Sequence, residues 1–426
     1  MDLEKSPTVI TNNLTSPSPP YSIYTRAGKW TLVGMVAVAG LFSPLPANIY
    51  FPAIPTLARV FDRSIEDINL TVTIYLAMQG CSPMLWGPLS DRYGRRPSFL
   101  ICLFILMGSS LGLALCPANA FWLLLLLRAL QAAGCASTIS LGAGVIGDIA
   151  SVEERGGFFG MFNLGPMLAP CIGPALGGVL SEKLGWRSIF WFLAIFSAAC
   201  LGAVLFFLPE TMRALVGNGS AGQPRFPRGP LAMVVGREKG LMPATEVLAE
   251  ELHPTKDGKK SSVNPFRLLL YPDIALTLVY TGILYGVNYT IMSTISSSFM
   301  VTYPYLTESM VGICYLSSGL GMIVGSTLTG KLLDWDYARL KGPKAGSASS
   351  SDLSGTETAN ENQDVEVPIE YARLRMSPVL LLVFVASVIG WGWCIQAKTS
   401  IAGPLVIQVI RESPFNYLPL EHQNSF

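Results

Sequence analysis

The chain has 426 residues, of which 50% are hydrophobic and 13% are charged, and its formal net charge is +1 at pH 7. A soluble domain carries about 25% charged residues. This composition therefore excludes an ordinary soluble enzyme, a disordered chain and a nucleic-acid-binding protein. The apolar residues form long uncharged blocks, which predict an all-α polytopic membrane protein.

Nine apolar blocks are long enough to cross a bilayer as helices, which takes about 20 residues each. In chain order they are residues 31–52, 70–88, 98–117, 121–147, 157–180, 188–208, 274–297, 309–330 and 378–396. A tenth block begins near Ile401 but meets Arg411 and Glu412 after about ten residues, which is too short to cross. We therefore predict a complete six-helix N-terminal bundle and an incomplete C-terminal bundle.

Polar segments divide the chain and set its predicted orientation. The N-terminal tail and the connections on the same side of the membrane hold 22 Lys and Arg residues, and the connections on the other side hold 5. The N-terminus is therefore predicted to be cytoplasmic. The plasma membrane is the expected location. The predicted parts are a cytoplasmic tail (1–29), the N-terminal bundle (30–208), a cytoplasmic central loop (209–268), a partial C-terminal bundle (269–410) with a cytoplasmic insert (331–376), and an atypical polar tail (411–426).

The connection between the second and third predicted spans carries the strongest motif. Gly87 and Gly94 allow a tight turn and close helix approach. Asp91 lies among arginines, so we expect it to stay ionised and paired. These arginines are Arg92, Arg95 and Arg96. Such a cluster can hold two helix bundles together and release them when a charge is neutralised. The alternative is a positively charged loop that only fixes topology.

This motif resembles the one that marks the major facilitator superfamily between its second and third helices, with Ser90 where Ala is usual. In the fifth span, Gly173-Pro174 and Gly177-Gly178 resemble the antiporter motif of the drug:proton antiporter branch, although ordinary tight packing would also use small residues there. Residues 208–219 resemble fungal members of that branch, which export drugs, polyamines or carboxylates such as citrate.

Arg128 is the only charged residue inside the nine blocks. A charge in hydrocarbon costs about 2.5–3.5 kcal/mol on insertion scales, so Arg128 should face the bundle interior or a wet cavity. The resemblance implies a role in proton coupling or substrate binding. Snorkelling to the outer surface and a bond to backbone carbonyls are the structural alternatives. Gln131 lies one turn away and is expected to share a partner with Arg128.

Further polar residues are candidates for gating or for lining a cavity. Asp148 ends the fourth span; by resemblance it joins Asp91 and Arg95 in a relay, or else it is a plain helix-end charge. In the first and seventh spans the candidates are Asn48, Tyr50, Tyr285, Asn288 and Tyr289. Hydrogen bonds between helices would also explain these residues.

The resemblance fails at the C-terminal end. The family normally has twelve spans, and here the apolar run stops in the tenth, as in a shifted frame, an unspliced intron or a shortened gene. The family's first motif docks against the eleventh helix, and its cavity is walled partly by the tenth. The missing helices are the reason for a second expectation beside transport: that the polypeptide as written is inactive although its relatives transport.

The sequence thus predicts a proton-coupled exporter of a small organic molecule, in which two halves rock to open a central site to each side in turn. Its expected partners are the substrate, protons and the lipid bilayer, with no nucleic acid, and it is taken as a monomer by default. We expect no enzymatic activity, cofactor or metal, because no span carries a His, Cys or carboxylate constellation. The alternatives are a citrate-like carboxylate exporter and a truncated, non-transporting membrane protein.

Overall fold

The computed structural model describes residues 21–217, 270–341 and 369–415. Most of the predicted N-terminal tail (1–29), nearly all of the predicted central loop (209–268), residues 342–368 of the predicted insert and most of the predicted polar tail (411–426) lie outside the described residues.

Each of the nine predicted spans lies on helix. The helices are α1 (Arg26–Phe61, in the segments Arg26–Leu41, Leu45–Asn48 and Ile54–Phe61, with a 3₁₀ turn at Phe51–Ala53), α2 (Ile65–Tyr93), α3 (Arg95–Ala114), α4 (Phe121–Ile149, in the segments Phe121–Cys135 and Thr138–Ile149), α5 (Val152–Leu184), α6 (Arg187–Phe207), a one-turn helix Arg213–Val216, α7 (Pro272–Thr302), α8 (Glu308–Cys314 and Leu316–Lys341), α9 (Ile369–Gln396) and α10 (Ala402–Phe415).

Eight helices of the described part are long and apolar enough to cross a membrane, and α2 and α10 are not among them. In α2 polar residues interrupt the apolar run, and three of them form a row. Thr71, Tyr75 and Gln79 follow one another at four-residue spacing, so they share one face of the helix. Thr71 and Tyr75 are fully buried, which shows that this polar face is turned into the bundle.

α1 is interrupted twice within a proline-rich stretch, which leaves some of its backbone carbonyls without a partner in the helix. The prolines in this stretch are Pro44, Pro46, Pro52 and Pro55. The carbonyl oxygen of Ser43 accepts from Tyr75 Oη and from Gln79 Nε2, both at 2.9 Å. The break in α1 therefore supplies hydrogen-bond acceptors in the middle of the bundle, where lipid offers none.

Two groups of helices make up the structure. In the first, α3 packs on α4 and α6, α2 packs on α4, and α1 packs on α5; in the second, α10 packs on α8 and α9. The groups meet where α5 packs on α8 and where α1 packs on α7. Asp91 lies in the last turn of α2, at the other end of the bundle from these contacts. We call the end that holds Asp91 the Asp91 face and the other end the opposite face.

The end of α10 differs from the sequence prediction. A polar tail was predicted from residue 411, whereas the helix continues to Phe415 and buries Arg411 and Glu412 completely. The two side chains neutralise each other, with Arg411 Nη2 2.5 Å from Glu412 Oε1, and they pack against α8. The 14 residues of α10 rise about 21 Å, which is less than the hydrocarbon thickness of about 30 Å.

Candidate functional site

Arg128 lies in the interior of the bundle and is 0% exposed. Its guanidinium carbon is 4.3 Å from the centre of the Tyr50 ring and 4.5 Å from that of Tyr75, a double cation–π contact. Nη1 donates to the carbonyl oxygen of Pro46 at 3.0 Å, one of the acceptors near the break in α1. Complete burial excludes snorkelling to the surface, and the backbone-carbonyl bond is present.

Gln131 contacts Arg128 directly. Its side-chain oxygen accepts from Arg128 Nη1 at 2.8 Å, and its nitrogen donates to the hydroxyl of Ser110 on α3 at 3.0 Å. Both residues lie on one face of α4, three positions apart. Gln131 therefore fixes the guanidinium from one side and is itself held by the neighbouring helix.

The guanidinium of Arg128 keeps unused donors. Nε and Nη2 are buried and have no hydrogen-bond partner within the described residues. Among the described residues, the titratable groups that interact with Arg128 are Tyr50, Tyr75 and Cys135, and none of these three is a carboxylate. A buried cation without a counter-charge is costly. An acceptor group that reached these two donors would bind them, and an anionic acceptor would bind most strongly.

Hydrogen bonds hold the two tyrosines that cover Arg128. The Tyr50 hydroxyl accepts from Thr71 at 2.9 Å, and the Tyr75 hydroxyl lies 2.8 Å from Cys135 Sγ besides donating to the Ser43 carbonyl. Tyr50 was a sequence candidate, whereas Tyr75 was missed. The four-residue spacing of polar residues in α2 was the available signal for it.

A second polar group lies where α1 meets α7. Asn48 donates to the Pro44 carbonyl at 2.7 Å and is also within hydrogen-bonding contact of Tyr289. The Tyr285 hydroxyl donates to that of Tyr289 at 3.2 Å. Asn288 is 5% exposed, and its side-chain oxygen lacks a partner in the described part of the chain. The candidates from the first and seventh spans therefore meet between the two groups of helices.

The charged motif at the Asp91 face is assembled around Arg95. Its Nη1 lies 2.7 Å from Asp91 Oδ1, and its Nε lies 3.2 Å from Asp148 Oδ2. The other two arginines do not bind Asp91 as the sequence suggested. The guanidinium of Arg92 lies over the Tyr93 ring, and Arg96 is buried and donates to the Leu205 carbonyl at 2.6 Å. Asp91 lies in the last turn of α2 and Arg95 is the first residue of α3, so the turn at Gly94 brings these two side chains together.

The turn in this motif is made by Gly94 alone. Gly94 has φ +108°, a conformation that side chains rarely adopt, and it separates α2 from α3. Gly87 was predicted to help the turn, but it lies inside α2, and no neighbouring atom lies within 4 Å of a Cβ placed there. Its carbonyl accepts from the Ser90 hydroxyl at 2.8 Å, and the helix continues past it.

Glu210 completes the motif, and sequence reasoning gave it no role. It is fully buried, and its carboxylate accepts hydrogen bonds from four backbone N–H groups. The donors are Arg95 at 2.9 Å, Arg96 at 3.2 Å, and Thr211 and Met212 at 3.0 Å each. Glu210 thus caps the start of α3 from a distant part of the chain. Its signals in the sequence were its place in the 208–219 segment and its position just after the sixth apolar span.

The small residues of α5 contact both groups of helices. A Cβ at Gly177 would collide with the Ile49 carbonyl of α1, and one at Gly178 would collide with the Glu308 carbonyl of α8. Gly173 lies beside Asn48, and the Pro174 carbonyl lies against Gly312 of α8. Close packing therefore accounts for these residues. They lie in the contact between the two groups of helices, which would have to move during gating.

Replacing Gly177 with alanine is expected to lower stability by about 1–3 kcal/mol, because the new methyl group forces α5 away from α1. Gly160 is the matched control on the same helix, since a Cβ there would meet nothing within 4 Å; Gly160→Ala should leave stability unchanged or slightly raised. Thermal unfolding of both purified variants measures the difference. Equal stability of the two would contradict the close contact.

Comparisons with known proteins give a consistent result. A sequence model described as the Major Facilitator Superfamily matches residues 36–403. Citrate exporter 1 of Aspergillus niger is 35% identical over 92% of this chain and 73% of its own length. Multidrug transporter QDR2 of Candida glabrata is 34% identical over 92% of this chain and 68% of its own. The MFS-type transporter phiD of a fungal species is 34% identical, and this chain spans only 58% of its length.

Solved structures show the same fold. The xylose transporter XylE of E. coli in an inward-open conformation has a TM-score of 0.62 at 14% identity, with 91% of this chain and 80% of that chain covered. Its partially occluded inward-open conformation gives 0.60 at 12% identity, covering 91% and 84%.

Proposed function

The chain belongs to the major facilitator superfamily, and we propose that it is a secondary active transporter that exports a small organic molecule in exchange for protons. A central site opens to each side of the membrane in turn as residues 30–208 rock against residues 269–410. The observation that carries this proposal is Arg128, a fully buried cation with unused donors. The contact of α1 and α5 with α7 and α8 supplies the surface on which rocking takes place.

Most of the proposed roles follow the geometry, and those of Gly87 and Arg92 rest on the sequence motif alone. Residues near Arg128 or between α1 and α7 bind substrate or couple protons: Arg128, Gln131, Asn48, Tyr50, Asn288 and Tyr289. Residues of the charged motif and of the close-packed part of α5 act in gating: Gly87, Asp91, Arg92, Gly94, Arg95, Arg96, Asp148, Gly173, Pro174, Gly177 and Gly178. Of these, Arg95 has the most direct support, since it bridges the end of α2 and the end of α4.

A carboxylate is the second candidate substrate class. The Nε and Nη2 atoms of Arg128 offer two donors side by side, which matches the two oxygens of a carboxylate. One relative carries the name citrate exporter. In this version Arg128 binds the anion directly, and the tyrosines at 4.3 and 4.5 Å hold the guanidinium in position.

Location and topology form part of the proposal. The N-terminus and the Asp91 face are cytoplasmic, and the protein resides in the plasma membrane as a monomer. The excess of Lys and Arg in the connections on that side supports the orientation.

Efflux from cells tests the function. Cells that lack their own exporters and express the full chain are loaded with labelled citrate or with ethidium, and release is followed with and without a protonophore. We expect release of at least one probe, and its loss when the protonophore is added. Release of citrate alone selects the carboxylate version. Release unaffected by the protonophore would contradict proton coupling, and no release of either probe would favour a non-transporting membrane protein.

A further inference from the structure

Glu308 begins α8 at the opposite face, in the contact between the two groups of helices. Its Oε1 accepts a hydrogen bond from the Thr56 hydroxyl of α1. The same oxygen lies 3.8 Å from Nη2 of Arg59, which in turn donates to Thr56 at 2.9 Å. The Glu308 side chain is 11% exposed and that of Arg59 is 74% exposed. Glu308 therefore reaches from α8 into α1, with Arg59 at the solvent edge.

The neighbouring residue of Glu308 binds the other side of the contact. The Ser309 backbone N–H donates to Glu182 Oε2 at the end of α5, at 2.8 Å. The Ser309 hydroxyl also lies 3.5 Å from the Gly178 carbonyl. Two successive residues at the start of α8 thus bind α1 and α5 at once.

A helix-start role alone does not explain Glu308. Thr307 caps α8 by accepting from the Met310 N–H at 3.4 Å, and an acidic residue in the first turn is favoured by the helix dipole. Both effects operate with the carboxylate in water. Here the side chain is folded inward, and its Oε2 is buried without a hydrogen-bond partner in the described residues. Burying a carboxylate oxygen without a hydrogen bond costs free energy. We therefore attribute the inward position of the Glu308 side chain to its contact with α1.

Solvent reaches the edge of this contact. A cleft of about 720 Å³ lies between the end of α1 and the connection from α7 to α8, and Arg59 forms part of its wall together with Pro55, Met300, Pro304 and Leu306. Residues deeper in the contact are fully buried: Ser296 of α7 is 0% exposed, and its hydroxyl donates to the Pro52 carbonyl at 3.3 Å. Thr56 follows the cleft residue Pro55 in the chain and lies four residues after Pro52, so the Glu308–Thr56 bond is close to both the cleft and this interior.

We propose that Glu308 is the latch of an outer gate: bound to Thr56 and Arg59, it holds the outer side of the central site closed, and it lets go when that side opens. The inference rests on the proposed alternating-access function and on the proposed orientation, in which the opposite face is the outer one. Release of the latch separates the start of α8 from α1 and lets water pass from the cleft to Ser296.

Reaction of an introduced cysteine with a membrane-impermeant thiol reagent tests the latch. Ser296→Cys is a small change at a position that is buried while the gate is closed. In cells carrying the full chain, Glu308→Gln in this background should raise the outer labelling rate of the introduced thiol by about tenfold, which corresponds to about 1.4 kcal/mol. Thr56→Val, which removes the donor from the other side, should act likewise. Combined with Glu308→Gln it should add little, because both changes break the same bond.

Glu66→Gln is the matched control, since Glu66 is an acidic residue in the first turn of α2 at the same face. It should leave the labelling rate unchanged. A rate unchanged by both Glu308→Gln and Thr56→Val would overturn the latch, as would fully additive effects of the two. The reaction needs no transported substrate, so a shifted labelling rate in a chain that releases no probe would refute the proposed function alone, and normal release with unshifted labelling would refute the latch alone.

Discussion

Replacing Arg128 with alanine is expected to abolish proton-coupled movement of substrate. Arg128 is the buried cation of the candidate site, with Nη1 bound to Pro46 and Gln131 and with two donors unused. A hydrogen bond to a charged group contributes about 1.5–3 kcal/mol, so losing two such bonds to a carboxylate weakens binding by about a hundredfold or more. The loss should be measured as initial transport rate at fixed protein amount.

The effect of Arg128→Ala on transport must be distinguished from an effect on folding. Arg128→Lys keeps the charge but not the flat guanidinium that fits between Tyr50 and Tyr75, so it should retain the fold and lose most of the rate. Arg63→Ala is the matched control, because Arg63 also lies over an aromatic ring, that of Phe121 at 5.6 Å, but on the exposed surface. Full coupling in Arg128→Ala would remove Arg128 from the mechanism.

Replacing Glu210 with alanine is expected to destabilise the N-terminal bundle by about 3 kcal/mol, because four backbone N–H groups lose their acceptor in a buried place. The start of α3 would shift, and the charged motif beside it would shift with it. Thermal unfolding of the purified protein measures the effect. Glu210→Gln keeps one acceptor oxygen, so its stability should lie between those of the unchanged protein and Glu210→Ala.

Glu153→Ala is the control for this change. Glu153 lies in the first turn of α5 near the same face and is exposed, so its loss should change stability by less than about 0.5 kcal/mol. If Glu210→Ala and Glu153→Ala unfolded at the same temperature, the cap on α3 would contribute nothing to the fold.

The membrane-spanning helices could be predicted because the bilayer imposes one strong rule. Every span must be apolar for about 20 residues, so composition along the chain is enough to find it. The same rule predicted that Arg128 is buried within the bundle, since a charge facing lipid is expensive. The rule does not cover paired charges in a shorter helix: Arg411 and Glu412 are buried in α10 as an ion pair.

The partners of the site residues could not be predicted from one sequence. Arg128 binds a carbonyl that is accessible because α1 is interrupted after Asn48, and it lies against Tyr75 because a polar row on α2 faces inward. Glu210 reaches the start of α3 from more than a hundred residues away along the chain. Local patterns predict which residues are unusual, but contacts between distant helices depend on how those helices pack.

The central claim is that this chain moves a substrate across the membrane in exchange for protons. Its most direct test is reconstitution of the full chain into vesicles containing a pH-sensitive dye, with citrate or ethidium added on one side. We predict that one of these probes moves protons in the opposite direction, that an imposed pH gradient drives the probe uphill, and that Arg128→Ala removes both effects. Vesicles in which neither probe moves protons, and no pH gradient drives either probe, would contradict the account.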